Sequence, residues 1–529
     1  KIEDWFEFDD TGDSTTGNIN ATLENFTTSG GAKKTARYRW NWRPRSVRES
    51  VNDFTNLFTL VDAVNAAQPE PYRSQVASLI DVPEWMRLFA TERIVGNWDS
   101  YGYSRGKNMY AYKPQDGPWR MLPWDIDFVL GTGGGDGPTA ALFGSNAPLI
   151  DRLRAFPEFQ RAYWRAFEDA VNGPLDATAF ANRVDTIYNG LVAAGVAPDS
   201  TTTQGLKDYV ATRRAYILSQ LDTVATNFAV NGSTTFSTNR NLITVTGTAP
   251  IGVATITVNG IATQPTWTSV TQWTLNIALQ PGLNSLVIAG WNSQGQAVSG
   301  ASTSLNVTFT GVIEPAQDHI VFNEIMYNPA VPDTEFVEIC NTATNTAYDL
   351  SNWRINGLDC TILPGTILQP GAFLVFVKNA DEFWREYGSS IPVAGVFSGS
   401  FDKGGETLQL IQPGATPAQD AVIDQVTYDD DPPWPAQADG TGSSLQLIDP
   451  TRDNNRVANW STSVGGVIPA VPATNIALIA YTSAWKYRQT SNLDGVNWTA
   501  TNFNDSPWPS GSGLLAFESN PAITPLTNT

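Results

Sequence analysis

Four side chains in one short stretch carry groups that phosphoryl or metal chemistry needs: Asp99, Asn108, Asp125 and Asp127, all between Asp81 and Gly131. Carboxylates and an amide oxygen are hard ligands suited to Mg2+ or Mn2+. A further carboxylate can orient or deprotonate a hydroxyl. An Asp, then a metal-binding Asn, then a metal-binding Asp is the order in which a protein-kinase site presents these groups. Eight residues separate Asp99 from Asn108, a longer spacer than the usual kinase loop has. Asp125 and Asp127 also have a second reading. On a strand they would share one face, so WDID could be the DxD of a metal-dependent glycosyltransferase, or supply a carboxylate dyad for glycoside hydrolysis. Neither alternative uses Asp99 or Asn108.

The elements that must position these groups are legible on either side of them. Asp81 can cap a helix, Pro83 suits its first turn, and Glu84 can complete a capping box with Asp81. Trp85, Leu88 and Phe89 recur at helical spacing, Ile94 and Val95 extend the apolar side, and Gly96 is a stop. Asn97-Trp98-Asp99 then emerges into a loop. NMYAYK, a turn through PQDGP, and WRMLPWDID predict a β-hairpin. Its open ends should lie side by side, making Asn108 a neighbour of the Asp125 region with the Asp99 loop feeding in.

Composition narrows the function classes. A chain of 529 residues predicts about three to four domains. A formal charge of −20 argues against a general basic surface for nucleic acid or anionic membrane, and favours divalent cations and basic proteins. No long apolar run predicts a membrane span. The chain begins at Lys1 in mid-pattern and ends just after a strand-rich segment, so both ends read as cut and the lack of targeting signals carries no weight. Cys340 and Cys360 could form one bridge in an oxidising compartment or remain two buried thiols. The single histidine, His319, lies far from the acidic stretch and reads as an exposed or capping residue before a strand; Ser–His–Asp hydrolysis and His-ligated zinc are disfavoured.

Along the chain, residues 1–45 read as mixed strand and loop. Asp9, Asp10 and Asp13 read as a solvated turn rather than a Ca2+ loop. Lys33, Lys34, Arg37, Arg39, Arg43 and Arg45 form a basic run that could meet nucleotide phosphates or be a solvated strand face. An amphipathic helix follows between residues 46 and 80. GTGGGDGPTA lacks the GK[ST] of a P-loop and reads as a flexible lid or activation-segment-like loop. Helical patterns dominate from Ala147 to Phe228, and short β-branched runs over 233–310 predict a small sandwich, read as a spacer or adhesion module. Another strand series runs from 318 to 465. Within it Glu335 and Glu338 read as a solvated strand face, and Asp429, Asp430 and Asp431 as a polar turn. Residues 475–529 are too few for a complete sandwich.

The segments ERIVGNWDSYGYSRGKNMYAYKP and GPWRMLPWDIDFVLG closely resemble the CotH (spore coat protein H) kinase family, with a weaker likeness from Lys1 to Phe228. The resemblance implies an atypical protein-kinase-like fold over residues 1–229 that binds ATP with Mg2+ or Mn2+ and phosphorylates Ser or Thr of secreted or surface proteins. By motif, Asp99 would be the catalytic aspartate, and Asn108 and Asp125 metal ligands with Asp127 beside them. The family usually carries further β structure, with a phosphate-binding basic residue, before the point where this chain starts, so the front lobe is expected to be incomplete. Lys33, Lys34 and Arg37, with Lys1, are the substitutes on offer. NEIMYNP, EFVEICN, DLSNWRI, PPWP, DGTGSSLQLIDP and NWSTS make residues 318–465 resemble a lamin-tail domain, an immunoglobulin-like sandwich. SAWKYR and FNDSPW make 475–529 resemble the opening of a galactose-binding-like sandwich. The expected fold class is thus multidomain, α+β then all-β, with a small β-sandwich at 230–310. The combination implies a secreted or envelope-bound bacterial protein, with a protein substrate and glycan or envelope contacts through its sandwiches. A nonenzymatic surface protein with a degenerate kinase-like module is the alternative.

Overall fold

Helix Val82–Val95 is the spine on which the acidic stretch is built. Asp81 accepts the Glu84 amide N–H at 3.1 Å, proline occupies the first turn, and Gly96 closes the helix at φ 75°. Trp85, Met86, Phe89 and Ala90 are fully buried, and the helix packs on Pro157–Val171. Glu84 does not close the expected capping box. Its carboxylate instead accepts the Met121 amide N–H at 3.0 Å, which ties the helix start to the hairpin.

The hairpin forms as predicted, Met109–Tyr112 against Arg120–Pro123 with Met109 opposite Pro123. Its alternation sorts the side chains: Met109 and Met121 enter the core, while Tyr112 and Leu122 face out. Ile2 bridges both Met109 and Trp42, adding the start of the chain to this small sheet.

This computed structural model describes residues 1–2, 21–47, 50–69, 71–103, 106–115, 117–144, 148–388 and 391–462, with 484–488, 503–512, 515–516 and 524–525 beyond them. Asp9, Asp10 and Asp13 lie outside the described residues, as does most of the segment read as galactose-binding-like. Two units divide the chain, Lys1–Gly465 and Gly466–Thr529. In the second, Ala484–Lys486 pairs with Ser510–Ser512.

In the first unit the basic run folds as helix Thr35–Asn41 where a strand was expected. Among the described residues, the amphipathic helix expected over residues 46–67 forms only as Thr55–Asn65, and a further helix, Tyr72–Leu79, begins just after Pro71. The glycine-rich loop is not a free lid. Trp98 Nε1 donates to the Gly134 carbonyl at 3.1 Å, the Asp136 N–H to Gly96 at 2.9 Å, and Tyr103 to the Asp136 carboxylate. Buried Arg213 and Arg93 hold the carbonyls of Pro138 and Ala141 at 3.1 and 3.2 Å. Helices Pro157–Val171, Ala177–Ala193 and Ser200–Leu221 complete the helical rear.

An all-β region follows. Strands Leu242–Thr248 and Gln272–Ala278 centre a four-stranded sheet, and Gly282–Trp291 and Ala297–Phe309 lie in a five-stranded one. Ile243, Val245, Trp273, Leu275, Ile288 and Leu305 fill the space between them. The next sandwich sets a six-stranded sheet containing Ile320–Met326 and Phe336–Asn341 against a four-stranded one containing Glu406–Gln412 and Ala421–Tyr428. Both cysteines are buried free thiols. Burial pushes Cys340 up to about 12 and Cys360 up to about 11, so neither is a reactive thiolate near neutrality. His319 precedes a strand, its Nδ1 3.2 Å from the Thr342 hydroxyl. Asp429 caps its own turn by accepting the Asp431 N–H at 2.9 Å.

Two clamps join these parts. Arg161 on the rear helix is 1 % exposed and reaches into the first sandwich, donating to the carbonyls of Pro250 and Val253 at 2.7 and 2.8 Å and to those of Ala249 and Val270. Its guanidinium stacks 3.5 Å from the Trp267 ring centroid. Asn241 binds Ala347 of the second sandwich at both ends of its amide, at 2.7 and 3.0 Å.

Candidate active site

The end of the spine helix sets Asp99. Gly96 in the left-handed region turns the chain sharply, and the Asn97 N–H returns to the Glu92 carbonyl at 3.0 Å. Asp99 lies just beyond, 6 % exposed. Asn108, 5 % exposed, turns its amide nitrogen onto the Asp99 backbone carbonyl at 2.8 Å and its carboxylate at 3.2 Å. Lys107 holds the same carboxylate oxygen from 3.0 Å. An amide committed through Nδ2 keeps Oδ1 as its ligand atom.

The hairpin then brings the other acids across. The Trp124 N–H donates to the Asn108 carbonyl at 3.1 Å, so Asp125 follows directly after the residue facing Asn108. Asn108 and Asp125 both adopt positive φ, 57° and 56°, a conformation Asn and Asp tolerate better than most residues. This paired kink at the open end diverts both side chains from the strand alternation. Asp125 and Asp127 are exposed, and the strand ends at Pro123. They therefore lie beyond the strand and do not share a strand face.

The donor set fits a hard divalent cation held in part by something other than protein. Among the described residues no group of three or more His, Cys, Asp or Glu side chains converges, which excludes an all-carboxylate cage there. Mg2+ sites with nucleotides commonly use one or two carboxylates, with phosphate oxygens and waters completing the shell. Asn108 Oδ1 and the carboxylates of Asp125 and Asp127 are donors of that chemistry.

A cleft of about 650 Å3 opens beside the hairpin. Tyr110, Tyr112 and Leu122 line it from the sheet, and Lys1, Arg43, Arg45 and Lys113 supply cations. Tyr110 meets Trp124 edge-on at 5.4 Å, and the Lys1 ammonium lies 5.4 Å from the Trp124 ring. Asp99, Asn108, Asp125 and Asp127 are not in the cleft's lining. Lys33, Lys34 and Arg37 are not in its lining. Lys33 pairs with Asp62 and donates to Asn25 at 3.0 Å, Lys34 stands at the N-cap position of helix Thr35–Asn41, and Arg37 stacks 3.5 Å from the Phe26 ring centroid. Sequence reasoning passed over Lys107, although it adjoins Asn108, and over the cleft wall. The two apolar rows of NMYAYK and WRMLPW were the available signal, since only one row can enter the core.

Beneath the Asp99 loop, Glu92 is 2 % exposed. Burial pushes its carboxyl up to about 7.

An α+β region bearing a hairpin site, followed by two β-sandwiches, defines the architecture. Residues 2–228 match the family model described as CotH kinase protein, and residues 314–430 match Lamin Tail Domain. The two matches stand in the order the sequence resemblance implied. The second sheet runs past the matched segment, because Leu445–Leu447 pairs with Ile320–Met326. No curated protein matches the chain. Among the described residues no helix is long and apolar enough to cross a membrane.

Proposed function

We propose that residues 1–229 form a metal-dependent protein kinase acting on Ser or Thr hydroxyls of secreted or envelope proteins of a bacterium. ATP enters the cleft with its base against the Tyr110–Tyr112 face and its phosphates toward the cations and the hairpin's open end. Asn108 and Asp125, with Asp127 beside them, hold Mg2+ or Mn2+. When bound, that ion neutralises charge on the phosphate oxygens. Asp99 accepts the proton of the acceptor hydroxyl as its oxygen bonds to the γ-phosphorus and the bond to ADP breaks. Lys107 orients the Asp99 carboxylate, and Asn108 locks the loop that carries it. The sandwiches hold the protein at a glycan or envelope surface.

The observation that carries this reading is the Asn108 side chain, bonded to the backbone carbonyl and one carboxylate oxygen of Asp99 while its backbone pairs beside Asp125. One residue couples the proton acceptor to the metal-side acid. Melting the purified chain with ATP and Mn2+ tests the nucleotide part: mass action raises the midpoint for a competent site, and Asp125→Ala removes the rise. An unchanged midpoint for the unaltered chain at millimolar ATP sinks the reading in favour of a nonenzymatic surface module.

A further inference from the structure

Lys113 lines the cleft, yet its ammonium is already engaged by another domain. It lies 3.4 Å from the carboxylate of Asp381, which belongs to the lamin tail domain, and donates to the Gly117 carbonyl at 2.8 Å. Asp381 sits in the first turn of helix Ala380–Tyr387. Phe383 and Trp384 of that helix are buried in the tail domain's own apolar cluster with Met326, Phe336 and Val377. Its polar residues Asp381 and Arg385 cross to the kinase region. Arg385 donates to the Thr59 hydroxyl at 3.3 Å and pairs with Glu382 on its own helix. Its charge also reaches Asp53, a second cleft residue, whose carboxyl is held below the usual range mainly by Thr55 and in part by Arg385.

The tail domain does not hang there on a linker alone. Arg161 fixes the first sandwich to the rear helix and Asn241 fixes that sandwich to the tail domain, so the helix returns to the cleft rim through a closed ring of contacts. Lys113 and Asp381 retain only 16 % and 22 % of their side-chain exposure. Such a pair is less screened than one in open water.

We propose that helix Ala380–Tyr387 is a regulatory strap on the cleft: Asp381 and an anionic ligand compete for Lys113, so the docked tail domain weakens polyphosphate binding and a bound polyphosphate loosens the tail domain. This rests on the reading of the cleft as a nucleotide site. Coupling of this kind is reciprocal. Two arms test it on the full chain. Zero-length carbodiimide cross-linking should join Lys113 to Asp381, read by peptide mass spectrometry, and ATP with Mn2+ should reduce the yield. Calorimetric titration with the same ligand should show Asp381→Asn binding about fivefold tighter than the unaltered chain, the low end of typical coupling. Glu386→Gln, which removes an acid from the same helix, should bind as the unaltered chain does. Absence of the cross-link, or equal affinities for Asp381→Asn and the unaltered chain, overturns the strap and leaves the nucleotide reading intact. ATP binding by neither protein overturns the nucleotide reading, and the strap falls with it.

Discussion

Asp99 is gripped from two sides, by the Asn108 amide and the Lys107 ammonium, and these grips make different predictions. Lys107→Met leaves the loop fold to Asn108 but frees the carboxylate to rotate. Turnover should drop on the order of tenfold to a hundredfold, as for loss of a partner that orients a working side chain, with the KM for ATP little changed; steady-state kinetics separate the two. Glu92, one turn back on the spine helix, gives a pH prediction. Its ordinary value is 4.5 and burial lifts it to about 7. Between those values the unfolded chain has released a proton that the folded chain still binds, so this group's contribution to stability falls as pH rises through the window and is flat above it. Glu92→Gln removes the titration. It should raise stability at pH 8 by at most about 3 kcal/mol and change it little at pH 4, compared by denaturant unfolding at both. A pH-independent difference between the two proteins contradicts the assignment.

The spine helix was readable from sequence at both ends because its signals are local: Asp81 caps three residues ahead and Gly96 supplies the left-handed turn. Gly96→Ala tests the second signal. A Cβ there would stand 2.6 Å from both the Asp136 carbonyl oxygen and the Tyr209 hydroxyl, at φ +75°. The backbone term alone costs about 1–2 kcal/mol, and the contacts add to it. The melting midpoint should fall by several degrees, and a variant as stable as the parent would count against this close packing under the glycine loop. Glu84 was misjudged for the converse reason, since its partner Met121 lies 37 residues on. The same holds for the glycine-rich loop. Its composition reads as free, and nothing within it announces Arg93 and Arg213, which hold it from other helices. The hairpin was foreseen, with Asn108 beside the Asp125 region, because alternation and a turn cluster specify register locally. The strand's end at Pro123 was not, because the turn of Asp125 into positive φ has no pattern of its own.

At the scale of the whole molecule, the order of folding units was legible through texture and motif, whereas the contacts joining them were not. Arg161 reads as one more charge on an amphipathic helix, yet it is almost wholly buried among carbonyls of the first sandwich. Arg161→Met keeps the volume and removes the donors. Hydrogen exchange at residues 249–253 and 267–270 should accelerate while exchange in Val82–Val95 stays slow, since the clamp is local to that junction; uniform protection would show that the clamp does not hold the junction. The account as a whole stands on the coupling of Asp99 to the acids across the hairpin. Its most direct test is intact-mass measurement of phosphate transferred from ATP with Mn2+ to the chain itself or to a generic protein acceptor, for the unaltered chain beside Asp99→Asn and Asp125→Ala. The account predicts phosphate gained by the unaltered chain and a loss of about 10^2–10^4-fold in rate for Asp99→Asn, with Asp125→Ala also silent and all three equally folded. No transfer by the unaltered chain, or equal transfer by the three, contradicts it.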